Sequence, residues 1–253
     1  MRPVFGGIGV ALITIFDESG ELDVRATVEH AQRLVGLGVG AVVVAGSTGE
    51  ALSLSLEERA DLLKAVRAEL SDVPVIAGTG APSTREAVHL TSQAVDLGAD
   101  AVLVLSPFRS DRCVPYYEKI RKAAGATPVI AYHWPAMSPP GIPIDVLPEL
   151  PVDGCKDSSG DAERLLVTLT KWGGPLYVGS SALLALAGGA GCAGAIVSLA
   201  NADPEGCIRA FSGDFKAQLE LIPGHLAAVS DFPRGIKELA SRRFGTSVSA
   251  RMG

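Results

Sequence analysis

Short apolar runs rich in Val, Ile and Ala alternate along the whole chain with longer stretches whose apolar positions recur at helical spacing. Ile8 to Phe16 (IGVALITIF) reads as a first strand, and Asp23 is placed to cap a helix reaching Leu37. Ala41 to Thr48 (AVVVAGST) reads as a second strand. Ser55 opens the next helix, and Glu58, three residues on, completes a capping box. Pro74 to Gly80 is a third strand, followed by a helix to Leu97 that Ser83 caps, with Glu86 repeating the box. Ala101 to Ser106 and Thr127 to Trp134 are strands four and five, with a helix over Val114 to Ala124 between them. Pro139-Pro140-Gly141-Ile142-Pro143 cannot lie inside a helix, so a loop and a short helix to Leu150 are expected. A sixth strand carries Lys156, and a helix follows from Asp161 to Trp172. Leu176 to Ser180 and Gly194 to Leu199 complete the strands. A long helical region, broken near Pro223 and Pro233, closes the chain.

The strands are continuous apolar runs rather than alternating ones, as a parallel sheet covered by helices requires. Eight strand–helix units in 253 residues predict an α/β fold, a (β/α)8 TIM barrel. Residues 1–205 are expected to form the barrel, and residues 206–253 a C-terminal helical region packed on it. A doubly wound open sheet is the alternative, but no G-x-G-x-x-G follows the first strand.

Composition narrows the function. The chain is 47% hydrophobic, yet no run of about 18 uncharged apolar residues occurs, so no membrane span is expected. A net charge of -6 without a basic block argues against nucleic acid as a partner. Cys113, Cys155, Cys192 and Cys207 form no C-x-x-C pair, and the N-terminus lacks a signal-peptide core, so a reducing cytoplasmic setting is expected. Four widely separated histidines make no metal-binding pattern, and no cofactor is expected.

In a barrel, chemistry sits at the C-terminal ends of the strands. Small and polar residues collect there, among them Gly46-Ser47-Thr48-Gly49-Glu50 and Gly78-Thr79-Gly80. Lys156 stands out. With Gly154 and Ser158 it points one way along its strand, while Cys155 and Asp157 point the other. If the first set faces the barrel axis, desolvation lowers the lysine pKa and leaves a neutral amine that can attack a ketone or aldehyde. A lysine at the strand's end with its head in solvent is the alternative. Tyr132, one strand away, is positioned to shuttle protons or else to pack as a core tyrosine. The Gly46–Glu50 turn offers backbone N–H groups and two hydroxyls to a carboxylate or phosphate, or is a plain turn. His133 is expected to pack and Glu50 to brace a loop. The glycines from Gly188 to Gly194 precede strand eight, on the opposite face of the barrel, and read as a tight turn.

These residues fall into a recognisable set. Gly9-Val10-Ala11-Leu12-Ile13-Thr14 with Phe16, Gly46-Ser47-Thr48-Gly49-Glu50, Val75-Ile76-Ala77-Gly78-Thr79-Gly80, Tyr132-x-x-Pro135 and Gly154-x-Lys156-Asp157-Ser158-Ser159-Gly160-Asp161 occur in order. The pattern resembles the dihydrodipicolinate synthase / N-acetylneuraminate lyase family of pyruvate-dependent class I aldolases. The resemblance implies that Lys156 forms a Schiff base with pyruvate or another 2-keto acid and that Tyr132 shuttles protons. It implies that Ser47 and Thr48 hold the keto acid's carboxylate, with Ser47 also in the proton relay, and that Ile196 lines the pocket. An aldehyde would be the second substrate, and a homodimer or homotetramer the assembly. Arg109 stands where the family commonly places a tyrosine donated across a subunit interface. Ala136-Met137-Ser138 stands where dihydrodipicolinate synthases carry an arginine for the aldehyde's carboxylate, and Arg109 is the candidate to supply that charge. The chain stops after Arg251-Met252-Gly253, short of the family's usual C-terminal helices, so that region is expected to be shortened. Dihydrodipicolinate synthesis, cleavage of a 2-keto-3-deoxy sugar acid or N-acetylneuraminate-type substrate, and keto-acid binding with little turnover all remain open at this point.

Overall fold

A computed structural model describes residues 1–252. Eight parallel strands close a barrel in sequence order: β1 (Gly7–Ala11), β2 (Ala41–Val44), β3 (Val75–Gly78), β4 (Ala101–Leu105), β5 (Val129–His133), β6 (Gly154–Asp157), β7 (Leu176–Val178) and β8 (Gly194–Val197). The covering helices are α1 (Val24–Gly36), α2 (Leu56–Glu69), α3 (Thr84–Asp96), α4 (Cys113–Ala124), α5 (Ala162–Lys171) and α6 (Leu184–Gly189). Then come α7 (Pro204–Phe211), α8 (Phe215–Ser230) and α9 (Arg234–Phe244). None of the described helices is long and apolar enough to cross a membrane.

Each strand presents one set of side chains to the helices and the other to the barrel axis. Val10, Val42, Val102, Ala131 and Cys155 join the core between sheet and helices. Ala11, Val43, Ile76, Leu103, Ile130, Tyr132, Tyr177 and Ile196 fill the interior. Phe5 closes the N-terminal end, stacked on Tyr177 at 4.7 Å between ring centroids. The Tyr177 hydroxyl accepts from the Val4 amide at 2.9 Å, tying that plug to the barrel wall. Room for it comes from Gly9, where an added Cβ would lie 2.7 Å from Phe5 Cζ, and from Gly194, where it would lie 2.7 Å from the Gly7 carbonyl.

Several helix starts follow directly from sequence. Asp23 and Asp161 cap α1 and α5, and Ser55 with Glu58 forms both halves of a capping box at α2. At α3 only the Ser83 half forms: its side chain accepts from the Glu86 amide. Strands are shorter than their apolar runs. β1 ends at Ala11: Leu12 N–H still donates to the Val43 carbonyl at 3.0 Å, but beyond it Ile13 N–H donates to Asn201 Oδ1 and Ile15 N–H to Thr27 Oγ1, both at 3.0 Å. Those partners let residues 13–15 stay buried beyond the ladder. β2 ends at Val44, because Ala45 adopts a left-handed φ of 50° that no strand tolerates. The segment before Leu150 is a 3-10 turn, Ile144–Glu149, rather than an α-helix. α8 runs through Pro223 without a break. Proline costs it one backbone hydrogen bond, and burial of Ala217, Leu221 and Ala228 carries the helix across. The Gly188–Gly194 tract is the tight turn expected, with Gly191 at φ +87° just ahead of β8.

Candidate active site

Ladder register places Lys156 between Tyr132 on β5 and Tyr177 on β7. Its neighbours along the axis are interior residues, so the amine points into the barrel and not into solvent. Lys156 is 5% exposed. Its Nζ lies 4.3 Å from the centroid of the Tyr132 ring and has no carboxylate partner. Burial alone pulls its pKa down to about 7, so the free amine is well populated at neutral pH.

Tyr132 is also buried, and its hydroxyl meets the hydroxyls of Ser158 and Ser47. Burial pushes its pKa up, which keeps the phenol protonated and able to donate. Ser158 sits where it does because Gly179 lacks a side chain: a Cβ there would lie 1.8 Å from Ser158 Oγ. Ser47 and Thr48 come from the turn after β2. That turn is held between two left-handed non-glycine residues, Ala45 (φ 50°) and Glu50 (φ 53°). Each costs about 1–2 kcal/mol. Gly78 permits the turn's approach, since a Cβ on it would meet the Ala45 carbonyl at 2.2 Å. Among the described residues, the amides of Ser47, Thr48 and Gly49 find no partner within the chain. Free N–H groups on a turn at a barrel mouth suit a carboxylate.

Glu50 braces this turn. Its carboxylate is buried against the Lys237 ammonium, and Oε2 accepts from the amides of Arg251 and Met252 at 2.8 and 2.7 Å. The C-terminal tail is thereby laid across the back of the Ser47–Thr48 turn. Arg251 fastens it further through Glu58, at 2.7 Å.

Two cavities meet at Tyr132. One, of about 260 Å³, contains Lys156, Thr48, Ser158, Ser180, Ile196 and His225, roofed in part by Trp134 and Phe232. The other, also about 260 Å³, is more apolar and contains Ser47, Leu52, Leu103, Leu105, Phe108 and Met252. The fold therefore brings together Lys156, Tyr132, Ser47, Thr48 and Ile196. It does not bring Arg109 to them. That guanidinium is 71% exposed and paired with Asp111 at 3.0 Å, because the loop after β4 turns it outward. His133 lies on the outer face, its Nδ1 accepting from the Ile142 amide at 2.9 Å, and burial lowers its pKa to about 4. Asp157, likewise outward, pairs with Arg164 at 2.8 Å. His225, Trp134 and Phe232 were not singled out from the sequence as site residues. No local motif marks them; His225 and Phe232 reach the site only through the packing of α8 and the segment after it.

The sequence matches the profile of the dihydrodipicolinate synthetase family over residues 4–227. The chain belongs to that family. A 4-hydroxy-tetrahydrodipicolinate synthase of Corynebacterium diphtheriae is 37% identical over 71% of this chain, and the match spans 62% of that relative's length. One from Natronomonas pharaonis is 32% identical over 86% of this chain and 79% of its own. A probable mitochondrial 4-hydroxy-2-oxoglutarate aldolase of Emericella nidulans is 35% identical over 82% of this chain and 73% of its own. Among solved structures, a dihydrodipicolinate synthase from Acinetobacter baumannii complexed with pyruvate superposes with a TM-score of 0.87 at 29% identity, covering 93% of this chain and 87% of that one. Members of the dihydrodipicolinate synthetase family thus share the closed barrel described above, and their names are those of synthases, lyases and aldolases.

Proposed function

We propose that the chain is a carbon–carbon lyase that forms a Schiff base between Lys156 and pyruvate or a related 2-keto acid, in the manner of dihydrodipicolinate synthase. One observation carries the reading: Lys156 is buried, lacks a counter-ion and has a pKa of about 7, at the mouth of a barrel of this family. The neutral amine adds to the keto carbon, and loss of water gives an iminium. Removal of a C3 proton gives an enamine, whose electron pair forms the bond to an aldehyde carbon; the reverse sequence cleaves an aldol. Tyr132 relays protons with Ser47, Ser47 and Thr48 hold the keto acid's carboxylate, and Ile196 forms the apolar wall beside the iminium. Arg109, turned outward and paired with Asp111, does not reach the site of its own chain.

A pyruvate complex of a structural neighbour and a relative named as a probable 4-hydroxy-2-oxoglutarate aldolase both support a 2-keto acid as first substrate. A homodimer or homotetramer fits the exposed Leu52 (57%) and Phe108 (54%) beside the apolar cavity, and light scattering after gel filtration would determine the assembly. Four free, buried cysteines fit a reducing cytoplasmic setting.

The test is to incubate the protein with pyruvate, reduce with borohydride and map the adduct by peptide mass. An adduct on Lys156, absent in K156A, is expected. Its absence from Lys156 would overturn the proposal. An adduct without consumption or release of any aldehyde would favour a keto-acid-binding barrel with little turnover.

A further inference from the structure

The Ser47 and Thr48 amides are aimed by the residues that follow them. The Ser47 carbonyl accepts from the Glu50 amide at 3.1 Å, and the Gly46 carbonyl accepts from the Ala51 amide at 3.2 Å. A trans peptide unit is planar, with its N–H and C=O on opposite sides. Holding the Ser47 carbonyl therefore points the Thr48 N–H the other way, and holding the Gly46 carbonyl does the same for the Ser47 N–H. The two donors belong to the peptide units on either side of the Glu50 Cα, so the placement of Glu50 sets the direction of both amides. Glu50 itself sits at a left-handed φ of 53°, a conformation that persists only where surrounding contacts over-determine it.

Those contacts come from a distant part of the chain. Residues 247–252 form a strap. Lys237 Nζ pairs with Glu50 and donates to the Ser249 carbonyl at 2.6 Å, while the Arg251 and Met252 amides donate to Glu50 Oε2. The Arg251 guanidinium then pins the strap to separate segments of the barrel. It donates to the Gly20 carbonyl at 2.7 Å, to the Ser53 carbonyl at 3.1 Å and to the Glu58 carboxylate at 2.7 and 2.9 Å. It also lies 4.4 Å from the centre of the Phe16 ring. A planar fork can serve these acceptors together; an ammonium reaches only some of them.

We infer that Arg251 is a positioning residue for the keto-acid site: by docking the strap on Glu50 it keeps the Ser47 and Thr48 amides in their binding direction, and keto acid and docked strap stabilise each other. The mutual effect follows from linkage. The factor by which undocking weakens keto-acid binding is the factor by which bound keto acid suppresses undocking.

This inference rests on the carboxylate-holding role given to the turn in the Schiff-base reading, and the experiment separates the two. Borohydride trapping over a range of pyruvate concentrations gives a half-saturating concentration and a limiting rate. R251A is expected to raise the first about fivefold or more and to change the second less than about twofold, with R251K in between at about threefold. R243A removes an arginine that ties α9 to Glu205 and to the Ala202 carbonyl, away from the turn, and should leave both quantities unchanged. Hydrogen–deuterium exchange on wild type, read on the peptide carrying the Arg251 and Met252 amides, should slow about fivefold or more with saturating pyruvate. That measurement needs no variant, and if R251A does not fold, R251K against wild type is the deciding pair. An unchanged half-saturating concentration in the Arg251 variants overturns the inference, as does exchange at the strap amides that pyruvate leaves unaltered. So does R243A matching R251A, which would mark the effect as one of general stability. If wild type slows strap exchange with pyruvate but traps none on Lys156, the Schiff-base reading falls and the coupling stands; if it does neither, both fall.

Discussion

A lysine without a counter-ion inside a barrel is a nucleophile whose activity follows its protonation. With its pKa at about 7, the rate of pyruvate trapping should climb as pH rises from 6 and level off above about 8, measured by quenching with borohydride at fixed times. The same burial costs stability. The folded pKa lies below the unfolded value of about 10.4. Between those two values the unfolded chain binds the extra proton, so the lysine's penalty grows as pH falls through that window and is complete below about 7. K156M should therefore raise stability by about 1–4 kcal/mol at pH 7, and the gain should shrink towards pH 10 in urea melts. Y132F removes the hydroxyl that Ser47 and Ser158 address. It should lower kcat by about 10²–10⁴-fold while leaving the fold intact by circular dichroism.

The turn from Ala45 to Glu50 is an element under strain, held by partners far away in sequence. Glu50 meets Lys237 of α9 and the amides of Arg251 and Met252, and Lys237 Nζ also donates to the Ser249 carbonyl at 2.6 Å. Both side chains of the ion pair are fully buried, so removing one charge strands the other. E50Q should cost about 3–5 kcal/mol in urea unfolding. Where it still folds, KM for pyruvate should rise more than kcat falls, because the Ser47 and Thr48 amides lose their brace. The strand-six to strand-seven end has a similar dependence. G179A would drive a Cβ to within 1.8 Å of Ser158 Oγ, and the displaced hydroxyl should lower turnover at nearly unchanged KM for pyruvate.

Across the whole molecule the two ends of the barrel divide the labour. The N-terminal end is closed by Phe5 and Tyr177 and contributes packing. The C-terminal end carries the lysine, the hydroxyls and both cavities. G9A, at the closed end, would press on Phe5 Cζ from 2.7 Å. It should cost about 1–3 kcal/mol in thermal melts and leave the rate of pyruvate trapping unchanged.

Much of this was legible in the linear chain. Strand–helix alternation specifies the barrel, because a parallel strand can bury both faces only if a helix covers each connection. The period of two along Gly154–Asp157 put Lys156 and Cys155 on opposite faces, and the position of Lys156 at a strand end put it at the active mouth. Capping residues fixed the starts of α1, α2 and α5, since a cap acts within a single turn. What only the tertiary structure decided is long-range. Strand ends at Ala11 and Val44 depend on Asn201 and Thr27 and on a left-handed turn that local propensity does not encode. The loop after β4 turned Arg109 outward to Asp111, although its place in sequence was compatible with the pocket. His225 reaches the Lys156 cavity because Ser181 and Gln218 lock α8 across the barrel mouth. Sequence periodicity assigns a residue to a face of its own element; which other element that face meets is set by packing among residues tens to hundreds of positions apart.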